Sequence, residues 1–206
     1  VTTVATAYVM RPGVATDRPE VAGMIRARAA WMREAGQGRW TSWNRHADEL
    51  AGQVGDDRWP TWVLCESRGG VVGVTSASPL TPALGWSPEE QAQSATFLQS
   101  TVTDPRFVGR GLGVVIAFWA LDYAAGLGHD WVRRGVLTTG KDNRGLVRYY
   151  RQQGWRVVRA IAHPRRPEIT VWSLQRPAER QPQLAEFLES WPRSRQRADE
   201  AVAQCR

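Results

Sequence analysis

The first clearly periodic run of apolar positions has helical spacing, and residues 8–14 ahead of it are expected to form a first strand. Val21, Met24, Ile25, Arg28 and Met32 fall near one face of a helix expected from Asp17 to about Ala35. Asp17 is expected to cap it, with Glu20 reaching back, Pro19 in the first turn, and Gly36 and Gly38 closing it. Trp40 and Trp43 lead into a second short helix over 44–54. Two β-rich runs, 62–67 and 71–78, flank Arg68-Gly69-Gly70 and predict a hairpin, whereas 79–90 holds three prolines and reads as a loop. Further strands are expected over 95–102, 131–137 and 169–174, and helices over 114–125 and 143–153. Residues 1–176 read as one α/β domain. Residues 177–206, with apolar patches at Leu184, Phe187, Leu188 and Trp191, read as a helical extension or tail that docks on the domain or on a second subunit.

The junction between the 95–102 strand and the following helix is the most specific feature. Asp104-Pro-Arg-Phe-Val-Gly-Arg-Gly-Leu-Gly-Val114 puts Gly109, Gly111 and Gly113 at a helix start. Free N–H groups and the positive end of the helix dipole make such a turn an anion site, and glycine lets the backbone come close to a ligand. About thirty residues later, Asn143 is a good N-cap for a helix that Gly154 ends. Asn143 and Tyr150 are seven residues apart, two turns, and so share a face.

Together these two elements resemble the GNAT acetyltransferase superfamily. Asn143, Leu146, Tyr150, Gly154 and Trp155 fall at that family's spacing. The resemblance implies a GNAT fold: a central, mixed, mostly antiparallel twisted sheet of six to seven strands flanked by about four helices. It implies acetyl-CoA, or another acyl-CoA, bound by Val108, Gly109, Arg110, Gly111, Leu112 and Gly113, with Asn143, Arg144 and Arg148 beside it. A backbone N–H near Thr101 or Val102, where the fourth strand splays, would stabilise the oxyanion, and Tyr150 would protonate the leaving thiolate, with its neighbour Tyr149 packed in the core. Relatives often carry Arg or Gln where Val108 stands, unless Arg106 serves after a one-residue shift.

At 206 residues the chain suits a single core. No apolar run is long enough to span a membrane and no signal-peptide pattern opens the sequence, so a cytoplasmic protein is expected. Cys65 and Cys205 show neither metal-ligand spacing nor a disulfide framework, and no metal site is expected. The net charge of +7 is carried by arginine almost alone, Lys141 being the single lysine. Between 133 and 166, ten basic residues face one acid, Asp142. That cluster reads as a solvated surface, as attraction for coenzyme A phosphates, or as a site for a larger polyanion.

A general base is not evident, because residues 94–103 hold no carboxylate. Gln99 would at most orient a water, and Glu89, Glu90, Asp104 and His46 are the other candidates. Eleven tryptophans are a high count, and Trp31, Trp40, Trp43, Trp59 and Trp86 fall in the segments expected around the acceptor. An aromatic-lined pocket suits a flat or apolar amine. The reading is an N-acyltransferase for a small-molecule amine, in specialised metabolism or resistance, with a homodimer an open alternative. Two others stand beside it: the same fold using an acyl donor carried on a carrier protein or tRNA, and a non-catalytic module that holds RNA or another polyanion.

Overall fold

The computed structural model describes residues 8–67, 69–139 and 144–188, the side chain of Arg144 excepted. In chain order the elements are β1 (Tyr8–Pro12), α1 (Arg18–Glu34), α2 (Trp40–Arg45), α3 (Ala47–Gly52), β2 (Thr61–Glu66), β3 (Gly69–Ser78), α4 (Pro88–Gln91), β4 (Ala95–Thr103), α5 (Leu112–Gly126), β5 (Trp131–Thr139), α6 (Arg144–Gln152), β6 (Arg156–His163) and β7 (Arg166–Pro177). The strands form one sheet in the order β1-β2-β3-β4-β5-β7-β6. Only β4 and β5 are parallel neighbours. This is the mixed, mostly antiparallel sheet expected, with seven strands. Six α-helical segments occur among the described residues, against about four anticipated.

The sheet buries both faces. On one, α5 lays Leu112, Val115, Ile116, Trp119 and Ala120 against Leu64, Val72, Leu98, Val132 and Val136, and α6 adds Val147 and Tyr150. On the other, α1 packs Val21, Met24 and Ile25 onto Val63, Cys65, Val71, Val74 and Val102. Spacings of three and four residues in the two long helices are what place these groups on the sheet side.

Several local expectations are corrected. Asp17 does not cap α1: its carboxylate takes two hydrogen bonds from Arg11, both 2.7 Å, and one from the Val14 amide. Nor does Glu20 reach back, because its Oε1 accepts from the Val71 amide across the sheet edge at 2.8 Å. The second helix begins earlier than expected, at Trp40, and divides at His46. The proline-rich loop contains α4, capped reciprocally by Ser87 and Glu90. The edge strand β6 escaped the pattern since Arg156 and Arg159 interrupt its apolar positions and none of its residues is buried. Of the C-terminal segment, Pro182–Glu186 forms a 3-10 turn, Leu184 joins the core, and the Phe187 carbonyl accepts from the Tyr8 amide at 3.0 Å.

Candidate active site

The parallel pairing of β4 and β5 runs from Ala95↔Trp131 to Leu98↔Arg134 and then stops, although both strands continue. They fork. On the other side of β4, the pairing with β3 passes from Ser76↔Gln99 to Val74↔Val102, so β4 carries one extra residue at this point. Ser100 absorbs it in the left-handed region, at φ +47°. The bulge shifts the face each later side chain takes, turning Val102 onto α1 and Thr101 towards Thr75, whose hydroxyl lies 2.8 Å from its own. Gln99, Ser100 and Thr101 are half-buried at the mouth of the fork.

The chain then turns through the glycine loop to α5. Gly109 and Gly111 have φ of +86° and +72°, with open space where a Cβ would project. Within the turn, the amides of Val108 and Arg110 bond back to Pro105 and Phe107. Those of Gly109, Gly111, Leu112 and Gly113 have no backbone acceptor among the described residues. An open, left-handed, glycine-lined cradle of free amides at a helix start fits a diphosphate. The side chains contribute less: Val108 is 55% exposed, Arg110 lies over the Phe107 ring, and Arg106 is committed to Asp104 through Nε and Nη2.

Helix α6 brings two phenols to this region, and the expectation for Tyr149 is corrected. Tyr149, expected in the core, is 38% exposed. Its hydroxyl lies 3.0 Å from where a Gly113 Cβ would stand, which puts it against the start of α5. Burial raises its pKa above the ordinary tyrosine value. Tyr150 is 9% exposed and packs edge-on to Trp155. The guanidinium of Arg134, the last residue of β5 that pairs with β4, covers its ring at 4.0 Å. Tyr150 therefore sits at the apex of the fork. Arg148 is exposed, while Asn143 and Lys141 lie outside the described residues.

The α1 side of the fork is built from arginine and tryptophan. Arg28 lies over the Trp31 ring at 4.5 Å and Arg33 over Trp40 at 5.7 Å. Burial lowers the pKa of Arg28, and the nearby phenols of Tyr149 and Tyr150 partly offset it. Arg39, at φ +68°, donates to the Leu137 carbonyl at 3.4 Å on the half of β5 that no longer pairs with β4. Sequence reasoning missed both as site residues. The available signal was a cation on the apolar face of α1.

Other expected residues turn out to hold the framework. Trp86 is 5% exposed, packed on Phe97 and covered by Arg133, so it does not line an open acceptor site. Trp43 packs on the α1 core, and Trp40 is half-buried. Arg133, fully buried, donates to Thr81 Oγ1, Gln175 Oε1, the Glu90 carbonyl and Gln93 Oε1. It ties the 79–93 segment to the sheet. The basic run from 133 to 166 is thus no continuous face, since Arg133 and Arg134 are interior and Arg159 pairs with Glu90 at 2.8 Å.

The candidate bases are similarly occupied. Hydrogen bonds from Arg159 hold Glu90 below the ordinary carboxylate range, and for Asp104 the bonds from Arg106 outweigh the upward push of burial. His46 is exposed, with Nδ1 2.8 Å from the Ser42 carbonyl. Among the described residues no group of His, Cys, Asp and Glu is arranged to hold a metal ion, and no helix is long and apolar enough to cross a membrane.

A forked parallel pair, a bulged strand and an amide cradle at the intervening helix define an acyl-CoA-binding transferase architecture. The acetyltransferase (GNAT) family profile matches residues 29–155, and the chain belongs to this acetyl-CoA-dependent family of N-acetyltransferases. It is similar to the N-acetyltransferase YesJ of Bacillus subtilis (strain 168), 24% identical over 162 residues that span 78% of this chain and 88% of that protein. In fold it is similar to a GNAT acetyltransferase of Listeria monocytogenes, with a TM-score of 0.64 at 14% identity over 86% of this chain and 98% of that one. It is also similar to spermidine N-acetyltransferase of Vibrio cholerae in complex with CoA and spermine, with a TM-score of 0.57 at 12% identity over 84% and 96%. An aminoglycoside 6'-N-acetyltransferase complexed with coenzyme A gives 0.55 at 10% identity over 81% and 93%.

Proposed function

We propose that this protein transfers an acetyl group from acetyl-CoA to the amine of a small molecule at the β4–β5 fork. The observation that carries the reading is the divergence of these strands beyond Leu98 and Arg134, with the bulge at Ser100 on one arm and the amide cradle at its end. When bound, acetyl-CoA supplies a thioester carbonyl that the acceptor nitrogen attacks, forming C–N as C–S breaks; the amine loses one proton and the sulfur gains one. The 109–113 amides bind the diphosphate, and Arg148, with Arg144, adds positive charge at the α6 start. A β4 amide at Thr101 or Val102 stabilises the carbonyl oxygen, supported by the loss of one-to-one pairing at the bulge.

Tyr150 is assigned as the acid because its ring lies at the apex of the fork, shielded from water beneath Arg134. Tyr149 is assigned to the cradle, where its hydroxyl lies beside Gly113. Gln99 is assigned to orient a water that accepts the amine proton and passes it to solvent, a role supported by the lack of any carboxylate on β4. Calorimetric titration with coenzyme A, followed by thiol release from acetyl-CoA over a panel of amines, tests the reading. Absence of both binding and release would overturn it. Release only from a carrier-protein- or tRNA-linked donor would instead favour the second donor class, for which exposed Val108 and the committed Arg106 are the supporting observations.

A further inference from the structure

We propose that the acceptor is an anionic amine of the amino-acid type, and that Arg28 and Arg39 receive its carboxylate; this rests on the acyl-transfer reading above. The argument begins with what these two arginines lack. Other α1 arginines have partners: Arg26 pairs with Asp48 at 2.5 Å, and Arg18 Nε donates to the Val54 carbonyl at 2.7 Å. Arg28 sits on the opposite, inward face, following Met24 and Ile25 along the core side of the helix. Among the described residues it forms no ion pair, and its one close contact is the face of Trp31.

Arg39 is similar. Its one hydrogen bond is a long one to a carbonyl, and the charge that acts on it, Arg166, has the same sign. Burial lowers the pKa of both arginines, so each is a partly desolvated cation without a counter-charge among the described residues. Such an arrangement is costly unless an anion completes it. The splayed halves of β4 and β5, Gln-Ser-Thr-Val-Thr103 and Gly-Val-Leu-Thr-Thr139, hold no acid. Glu34 and Glu168, on the flanking elements, are exposed.

The location then specifies the ligand. Arg28 lies over Trp31 on the inward face of α1, near enough to Tyr149 and Tyr150 for their charges to act on it, and Arg39 lies on the β5 arm of the fork, so an anion received by the two would stand beside the position where the amine reacts. Trp31 and Trp40, half-buried under Arg28 and Arg33, offer flat apolar surface to the rest of the molecule. Polyamines and aminoglycosides, acceptors named for two of the similar structures, are polycations and meet like charge here.

The test uses matched acceptors: amino acids, aromatic ones included, against their amides, with spermidine and kanamycin as polycations and acetyl-CoA as donor. Carboxylates are expected to exceed their amides in kcat/KM by about tenfold or more, with little turnover of the polycations. Arg28→Gln and Arg39→Gln are each expected to raise KM for the carboxylate by about tenfold, leaving KM for acetyl-CoA and for the amide unchanged. Arg28→Lys should restore part of the loss. Preference for spermidine or kanamycin, equal use of amides, or silence of both substitutions overturns the proposal. Titration of the full chain with phenylacetate, read by tryptophan fluorescence, needs no donor. Binding weakened by Arg28→Gln supports the arginine pair, and no binding overturns it. Failure to bind coenzyme A while phenylacetate binds would strike the acyl-transfer reading and leave the anion site standing.

Discussion

The two sides of the fork are made by opposite means. On the α5 side the site is local: a strand, a turn with two left-handed glycines and a helix start, all within about twenty residues of chain. On the α1 side it is assembled from distant pieces, with Arg39 reaching Leu137 and Arg133 reaching Thr81, Glu90, Gln93 and Gln175. The donor half depends on backbone and tolerates changes of side chain nearby. The acceptor half depends on side chains and is where substrate choice can change without loss of donor binding.

The sharpest way to break that contrast is at the long-range ties. Arg133→Leu removes the donor of four acceptors, two of them on the buried residues Thr81 and Gln175, and is expected to cost about 3–5 kcal/mol of stability, read as a fall in denaturant midpoint. If stability holds, the distant ties are not what fixes the acceptor half. Next is the cradle: Gly111→Val, at φ +72° and in open space, is expected to weaken coenzyme A about 100-fold by calorimetry without a comparable stability loss. Tyr150→Phe should then lower kcat about 10- to 100-fold with KM for acetyl-CoA unchanged, whereas Tyr149→Phe should weaken coenzyme A a few-fold and spare kcat. An exchange of these two effects would reverse the assignment of the phenols.

The smallest effect concerns acid. Hydrogen bonds from Arg11 and the Val14 amide hold Asp17 below its ordinary value in spite of burial, which pushes the other way. A carboxyl depressed in the folded state contributes stability that is complete above its unfolded value near 4 and is lost as pH falls through the lower folded value. Asp17→Asn should therefore flatten the acid limb of the stability curve by an amount on the order of 1 kcal/mol, seen by denaturation at pH 3 and pH 7.

This contrast also explains what could be read from the sequence. The glycine turn and α5 were legible because their signals are contiguous, and the splay of β4 near Thr101 followed from the family resemblance, whereas the bulge at Ser100 has no local signal. Tyr149 was assigned to the core because helix periodicity alone does not say that it would lean onto the start of α5. Trp86 looked available in a loop because nothing local announces that a buried arginine from β5 will cover it. Charge counting over 133–166 failed for the same reason: on a strand, successive residues face opposite layers, and both Arg133 and Arg134 found one.

Arg133 has an evolutionary corollary. Because one guanidinium serves the side chains of Thr81, Gln93 and Gln175 together with the Glu90 carbonyl, those three side chains cannot drift independently; a descendant that exchanges the arginine must rebuild the span from 79 to 93 in the same stroke. Insertions and deletions in that span should accordingly arrive with a new residue at 133, making one interior position a marker for the history of an entire surface loop.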